Sequence, residues 1–161
     1  ERQAAKAARE REKDAVKRAR GDYAQQEVVV VLDNAFLTRG SQALKGVFSK
    51  AVQGLGEEQL AMDVTSLGGP FCEVQWRTAE HLGAKAYPYR LFVVGPEEFC
   101  RAVYADGMAG TLRRMLGSRP SAHVHIAVVG LEAWMAKAER AGATMPGGAP
   151  FSRQPVHAAI A

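Results

Sequence analysis

Residues 28–33 read VVVVLD, and this stretch decides the fold of the chain. A short β-branched run between turn residues is typical of a strand that is buried on both faces. Asp33 closes that strand at a position where α/β enzymes commonly begin a metal site or an acid–base pair. The following segment, residues 34–40, holds no carboxylate, and the next one along the chain is Glu57. Because Mg²⁺ prefers several oxygen ligands in near-octahedral geometry, a lone aspartate is a poor anchor for it. The pattern predicts an enzyme-shaped domain that has lost its chemistry.

Strands and helices alternate after this stretch. Apolar and alternating segments predict strands at Glu27–Leu32, Leu60–Ser66, Glu73–Thr78, Tyr89–Gly95 and His123–Val129, of which Glu73–Thr78 should have one solvated face. Helical periodicity predicts helices at Ser41–Val52, Gly110–Leu116 and Leu131–Ala141, and a further helix that begins at Pro96. Such alternation favours an α/β fold with a central, mostly parallel sheet and helices on both faces. We expect a charged helical lead or linker at residues 1–22, a main domain at residues 23–145 and a loop-rich tail at residues 146–161.

The charge of the chain is concentrated at its start. The 161 residues carry a formal net charge of +4, and residues 1–20 hold eight basic and four acidic side chains, so the remainder is neutral. This lead consists of strong helix formers but lacks a wide apolar stripe. It fits a solvated linking helix, or a helix that lies along a phosphate backbone. No run approaches the ~20 apolar residues that a membrane span requires.

Other chemistry is weakly supported by the sequence. Neither GxGxxG nor GxxxxGK[ST] follows a predicted strand, so a nucleotide site is not indicated. His123 and His125 share one strand face but lack a third ligand at zinc spacing. Cys72 and Cys100 lie in apolar contexts that favour reduced core thiols. Trp76-Arg77 could stack on a base or contact phosphate, although a sheet-edge Trp beside a solvated Arg explains it as well.

The order of these features resembles a known family. The charged lead, VVVVLD, a glycine-marked helix, CEVQWRT at residues 72–78 and an apolar strand into GPEEF at residues 95–99 resemble the XPF family of structure-specific nucleases. Within it, the chain is most similar to Eme-type non-catalytic subunits of the Mus-type endonuclease heterodimer, which cuts branched DNA such as flaps, forks and Holliday junctions. Catalytic members hold a divalent metal with several acids, of which Asp33 alone has a counterpart here. Residues 74–78 resemble the degenerate VxWR stretch that replaces the ERK motif.

The resemblance implies a three-layer nuclease-like domain without catalytic residues, Asp33 being a remnant. It implies a nuclear DNA-repair and recombination subunit that pairs with a catalytic Mus-type partner, binds no cofactor itself and leaves Mg²⁺ to that partner. The tandem helix-hairpin-helix module of the family is missing from the sequence, which fits a fragment of a longer protein. Candidate DNA contacts are Arg39, Arg77, Lys6, Arg9, Lys13 and Lys17, and candidate partner contacts are Phe99, Val103, Leu131 and Trp134.

Two other functions remain open at this point. The chain could be an active metal-dependent hydrolase in which Asp33 is joined by Asp63 or Glu73. It could also be a protein-interaction module that has no role at DNA.

Overall fold

The computed structural model describes residues 2–20, 23, 27–117 and 123–161. In chain order the elements are α1 (Arg2–Ala19), β1 (Val28–Asp33), α2 (Ala35–Thr38), α3 (Gln42–Glu57), β2 (Ala61–Thr65), β3 (Cys72–Thr78), β4 (Ala86–Val94), α4 (Pro96–Leu116), β5 (His123–Val128), α5 (Leu131–Arg140) and α6 (Arg153–Ile160), with short 3₁₀ turns at Glu80–Leu82 and Pro146–Gly148.

Five strands form one mixed sheet in the order β2-β1-β3-β4-β5. Strand β2 is parallel to β1 and β5 is parallel to β4, whereas β3 is antiparallel to both of its neighbours. Four strands therefore run in one direction and only the central strand reverses. The predicted α/β fold with a mostly parallel sheet is confirmed.

Helices cover both faces of the sheet, as the strand–helix alternation predicts. On one face, Phe36 of α2 and Leu44 and Phe48 of α3 pack against apolar residues of β1, β3 and β4. On the other face, Phe99 of α4 and Met135 of α5 pack in a second cluster that includes sheet residues of β4 and β5. Successive residues of β4 alternate between the two clusters, because neighbouring side chains of a strand point to opposite faces. The result is a three-layer domain.

Helix starts agree with the sequence signals. Ser41 caps α3, its hydroxyl accepting a hydrogen bond from the Leu44 amide, and Pro96 opens α4 with two glutamates in the first turn. The helical run of α4 is interrupted at Gly107, whose φ of 64° is outside the helical region. This interruption confirms the predicted division between a helix that starts at Pro96 and a second helix that ends at Leu116.

Two local expectations need correction. Strand β3 lacks the predicted solvated face: Cys72, Glu73 and Val74 are buried, because β3 is the central strand and lies between two helical layers. The predicted loop-rich tail contains helix α6, and Phe151 and Val156 are buried in the same cluster as Met135. Residues 146–161 therefore pack as part of the domain.

The charged lead forms a helix, as its composition predicts. Within α1 every residue whose side chain is described is exposed. The predicted break at residues 21 and 22 lies outside the described residues. Among the described helices, none combines the length and apolar character that a membrane span requires.

Candidate functional site

Asp33 is the carboxylate around which the site is built, and it is 1% exposed. Its Oδ1 accepts hydrogen bonds from the amides of Ala35 at 3.0 Å and Leu67 at 3.4 Å. Its Oδ2 has no hydrogen-bond partner within the described part of the chain. Asp33 thus fixes the start of α2 and the segment after β2, and it does not face solvent.

Glu73 is the acid nearest to Asp33 in the sheet. The antiparallel register pairs Leu32 with Val74, so one further step sets Glu73 opposite Asp33 on the same sheet face. Glu73 is fully buried, and Arg90 of β4 binds its two carboxylate oxygens through Nε and Nη2, the latter at 2.9 Å. Gln75 also donates to Glu73 through its side-chain amide. The carboxylate of Glu73 is therefore already neutralised and hydrogen-bonded.

Arg90 also connects the sheet to the end of α4. Its Nη1 donates to the carbonyl of Leu116 and its Nη2 to the carbonyl of Met115, each at 3.1 Å. Carbonyls at the end of a helix lack helical partners and carry partial negative charge, so a guanidinium satisfies them well. This pair was not predicted from the sequence, although Arg90 next to the apolar run of β4 was a usable signal.

Asp63, the other acid considered for an active hydrolase, does not join Asp33. Its side chain is about half exposed, and its Oδ2 lies 3.7 Å from Nη2 of Arg77. No group of three or more His, Cys, Asp or Glu side chains suited to a metal ion occurs among the residues that the structure describes. Oδ1 of Asp33 is bound to backbone amides, Glu73 is bound to Arg90, and no third acid joins them among the described residues, so this end of the strands does not fit a divalent cation.

A cleft of about 990 Å³ opens at the same edge of the sheet, and we call it the strand-end cleft. Its walls are the first turns of α3 and α4, residues 70–72, and the side chains of Arg39, Arg101, Arg114 and Trp134. The Arg39 guanidinium donates to the Gly69 carbonyl at 2.7 Å and remains exposed. Arg101 and Arg114 form exposed ion pairs with Glu97 and Asp106 at 3.0 and 3.1 Å. The cleft thus holds three arginines, of which Arg101 and Arg114 are paired with acids, and its wall also carries Glu97 and Glu98.

Electrostatic interactions link the lining of the strand-end cleft with the carboxylate of Asp33. The pKa of the Cys72 thiol is raised to about 11, mainly by burial and also by the charges of Glu98 and Asp33, while the charge of Arg39 opposes this rise. Partial burial of its carboxyl group raises the pKa of Glu98, although the residue as a whole is exposed. The charge of Arg39 opposes this rise as well. Asp33, Cys72, Glu98 and Arg39 therefore share one electrostatic neighbourhood.

Arg77, the other candidate DNA contact within the main domain, lies far from Arg39. Because β3 is antiparallel to β1, Arg77 pairs with Val29 at the opposite end of the strand, roughly 17 Å from Cys72 at ~3.3 Å per residue. It pairs with Glu80 at 2.8 Å and approaches Asp63. A contact between Arg77 and DNA would form a separate site.

The four basic residues chosen on the lead helix share one face. Lys6, Arg9, Lys13 and Lys17 follow at spacings of three, four and four residues, which keeps them within one side of a helix, and all four are exposed. We call them the basic stripe. Such a stripe can lie along a phosphate backbone if acidic neighbours such as Glu10 point into solvent and away from the phosphates.

Two of the four candidate partner contacts are buried. Phe99 is 1% and Val103 is 6% exposed, and both pack toward the sheet within the core of the domain. The apolar face of α4 was correctly identified, but it is used internally. Leu131 and Trp134 are partly exposed, and Trp134 makes an edge-on contact with Phe151 at a centroid distance of 5.2 Å. These two can still contribute to a partner surface.

The two cysteines are free and buried, which fits reduced core thiols. His123 and His125 are exposed on β5, and His123 stacks on Tyr89. No protein-family model and no curated protein matches this sequence.

Proposed function

We propose that the chain is a non-catalytic, nuclease-like subunit that pairs with an active Mus-type nuclease subunit and helps to position branched DNA. Hydrolysis and the Mg²⁺ ion would belong to the partner, and the complex would act in DNA repair and recombination in the nucleus. The proposal starts from the resemblance of VVVVLD, CEVQWRT and GPEEF to the Eme-type chains.

The observation that supports it best is the state of the two strand-end acids. Asp33 is buried against the Ala35 amide, and Glu73 is held by Arg90. In a metal-dependent nuclease these oxygens would have to be open to a cation and to water. Here they stabilise the fold, which favours a scaffold over an active hydrolase that uses Asp33 with Asp63 or Glu73.

The surroundings of the acids support a role in positioning DNA. The carboxylates of Asp33 and Glu73 are buried, so a phosphate at the surface would not contact them directly. Arg39 is exposed at the strand-end cleft and could contact that phosphate. Phosphate contacts of this kind orient DNA without reading its sequence. The basic stripe on α1 would add further phosphate contacts.

The proposal is tested with a fluorescent nicked or flapped junction in Mg²⁺, using the chain alone, a Mus-type catalytic subunit alone, and the mixture. We expect no cleavage by this chain alone, a heterodimer by light scattering, and tighter junction binding or faster cleavage in the mixture. Cleavage by this chain alone that is lost in an Asp33→Asn variant would support the hydrolase instead. Failure to form any heterodimer would contradict the proposal.

A further inference from the structure

An apolar groove remains open beside α3, on the sheet face that this helix covers. It has a volume of about 470 Å³, and its lining includes Trp76 of β3 and Leu91 of β4, which are both only partly buried. On the opposite face of the sheet three helices pack, whereas among the described residues only α2 and α3 pack on this one. Since both faces of a mostly parallel sheet are normally covered by helices, the groove has the position of a further helix. We call it the α3 groove.

The rim of the α3 groove is acidic. Glu57 and Glu58, at the end of α3, line the groove and are exposed. Glu57 accepts a hydrogen bond from Gln53 at 2.7 Å, and neither glutamate forms an ion pair within the described part of the chain. No Lys or Arg is among the described residues that line the groove. An apolar floor with an acidic rim suits a helix that combines an apolar side with basic side chains.

The chain itself contains a helix of this kind in α1. Its 18 residues carry seven basic and three acidic side chains, a balance of +4. Ala8, Ala15 and Ala19 follow at spacings of seven and four residues, so they share one side of the helix, and alanines allow a helix to approach a surface closely. Val16, which is 47% exposed, lies between these alanines and the basic stripe. Glu12 is the one acid on this side.

The connection between α1 and β1 keeps α1 close to the α3 groove. Residues 20–27 separate α1 from Val28, and an extended segment of eight residues reaches about 28 Å at most. Val30, which lines the groove, follows Val28 by two residues, and the acidic rim directly precedes β2, whose first residue pairs with Val29. The groove therefore lies at the end of the sheet where α1 is attached. A short tether gives a segment a high local concentration, so modest contacts suffice for docking.

We propose that α1 is a strap that closes on the α3 groove, with its alanine side over Trp76 and Leu91 and its basic stripe beside the acidic rim. The structure shows the open arrangement, in which α1 is exposed and the groove is uncovered. Closure uses the same Lys and Arg side chains that would contact DNA, so the closed strap withholds them from a phosphate backbone. This second part rests on the proposed function: DNA would release the strap by competing with the two glutamates.

Closure is tested through Trp76, because Trp76 and Trp134 are the two tryptophans of the chain. In a full-length Trp134→Phe chain at low salt, quenching of the remaining fluorescence by acrylamide measures the exposure of Trp76. Adding Val16→Asp places a charge in the contact and should raise the quenching constant about twofold or more, because most chains then stay open. Adding Glu12→Ala should lower it, since an acid that would face the acidic rim is removed. Glu10→Ala removes the same charge from the opposite side of α1, and this control should leave the quenching constant unchanged.

Equal quenching with and without Val16→Asp would overturn the strap, and the exposed position of this residue in α1 leaves the core of the domain untouched. Protection of Trp76 that increases with protein concentration would also overturn it, because a second copy would then supply the helix. Protection that develops only when the catalytic subunit is added would assign the groove to that partner instead.

The competition with DNA is tested by adding a blunt duplex to the Trp134→Phe chain. The duplex should raise the quenching constant of Trp76 toward the value with Val16→Asp, and a duplex that binds while Trp76 stays protected would refute the competition. Closure itself is measured without DNA or partner. A strap that closes in a chain that forms no heterodimer would therefore refute only the proposed function.

Discussion

Arg90 and Glu73 form a buried, two-point ion pair between the neighbouring strands β4 and β3. Glu73 is fully buried and Arg90 is 6% exposed, and the same guanidinium binds the last carbonyls of α4. The pair connects two strands of the sheet to the end of α4. It also neutralises the acid that stands opposite Asp33.

Removing one member of this pair should strongly destabilise the fold. Glu73→Leu leaves the Arg90 charge buried without its partner, which costs about 3–5 kcal/mol by precedent for buried pairs. We expect a matching decrease in the urea midpoint, and a double Glu73→Leu/Arg90→Met variant that loses less than the two single variants together. Arg101→Ala, which breaks the exposed pair with Glu97, is the control and should cost about 1 kcal/mol or less. A Glu73→Leu variant as stable as this control would contradict the structural role.

Asp33 should matter for the fold and not for binding of a metal. Asp33→Ala removes the acceptor of the Ala35 amide and should cost about 1–2 kcal/mol in urea unfolding, whereas Asp33→Asn keeps an oxygen acceptor and should cost less. Mg²⁺ titration followed by calorimetry should give the same result for the unmodified chain and Asp33→Asn. A divalent-ion affinity that falls in Asp33→Asn would favour the active hydrolase.

The basic stripe should control the salt dependence of DNA binding. If Lys6, Arg9, Lys13 and Lys17 each neutralise one phosphate, together they contribute about −3.6 to the slope of log K against log salt, at ~0.9 per contact. Replacing all four with Ala should reduce the slope by that amount without disfavouring the helix. Arg11→Ala, on the opposite side of α1, is the control and should leave the slope nearly unchanged. A quadruple variant that keeps the original slope would exclude the stripe as a DNA contact.

The buried thiols should make the protein less stable in alkaline solution. Burial raises the pKa of Cys72 and Cys100 from 9.0 to about 11. Below pH 9 both states keep the thiols protonated, whereas between pH 9 and 11 the unfolded chain ionises them first. Unfolding then becomes more favourable as the pH rises, on the order of 2 kcal/mol per thiol. Urea midpoints measured across this range should fall less steeply in a Cys72→Ala/Cys100→Ala variant, and equal slopes would contradict the assignment.

Substitution of Phe99 should mainly lower the stability of the fold, whereas substitution of Trp134 should mainly weaken partner binding. Phe99→Ala should cost about 3–5 kcal/mol because the ring is fully packed in the core. Trp134→Ala should destabilise less, since its ring is partly exposed, and should weaken heterodimer formation in a pull-down from folded material. Leu37→Ala, which alters an exposed side chain, is the control for both measurements. Unchanged pairing in Trp134→Ala would remove this residue from the partner surface.

Local patterns in the sequence predict most of the fold. The apolar run at β1, the serine cap of α3 and the proline at the start of α4 each identify their element, because these signals act within one or two turns of chain. The reversed direction of β3 depends on pairing between distant strands, which no local signal encodes. Because β3 runs in the reverse direction, Arg77 lies far from Arg39. For the same reason, the contact between Glu73 and Arg90 could not be predicted from the sequence.

Of the candidate site, the sequence predicted the position of Asp33 but not its surroundings. Asp33 follows from the end of an apolar strand, but its burial depends on the segment after β2 returning to it through the Leu67 amide. The exposure of α4 residues was misjudged because an apolar helix face looks the same in sequence whether it packs inside the domain or against a partner. Phe99 and Val103 belong to the first case.

One comparison tests the central claim, that this subunit supports cleavage without supplying catalytic carboxylates. Junction cleavage in Mg²⁺ is measured for the heterodimer with Asp33→Asn in this chain, and for the heterodimer with the strand-end aspartate of the catalytic partner changed in the same way. We predict that the first complex cleaves at close to the unmodified rate and that the second is inactive. An intact heterodimer that loses cleavage through Asp33→Asn would contradict the account and make Asp33 a catalytic residue.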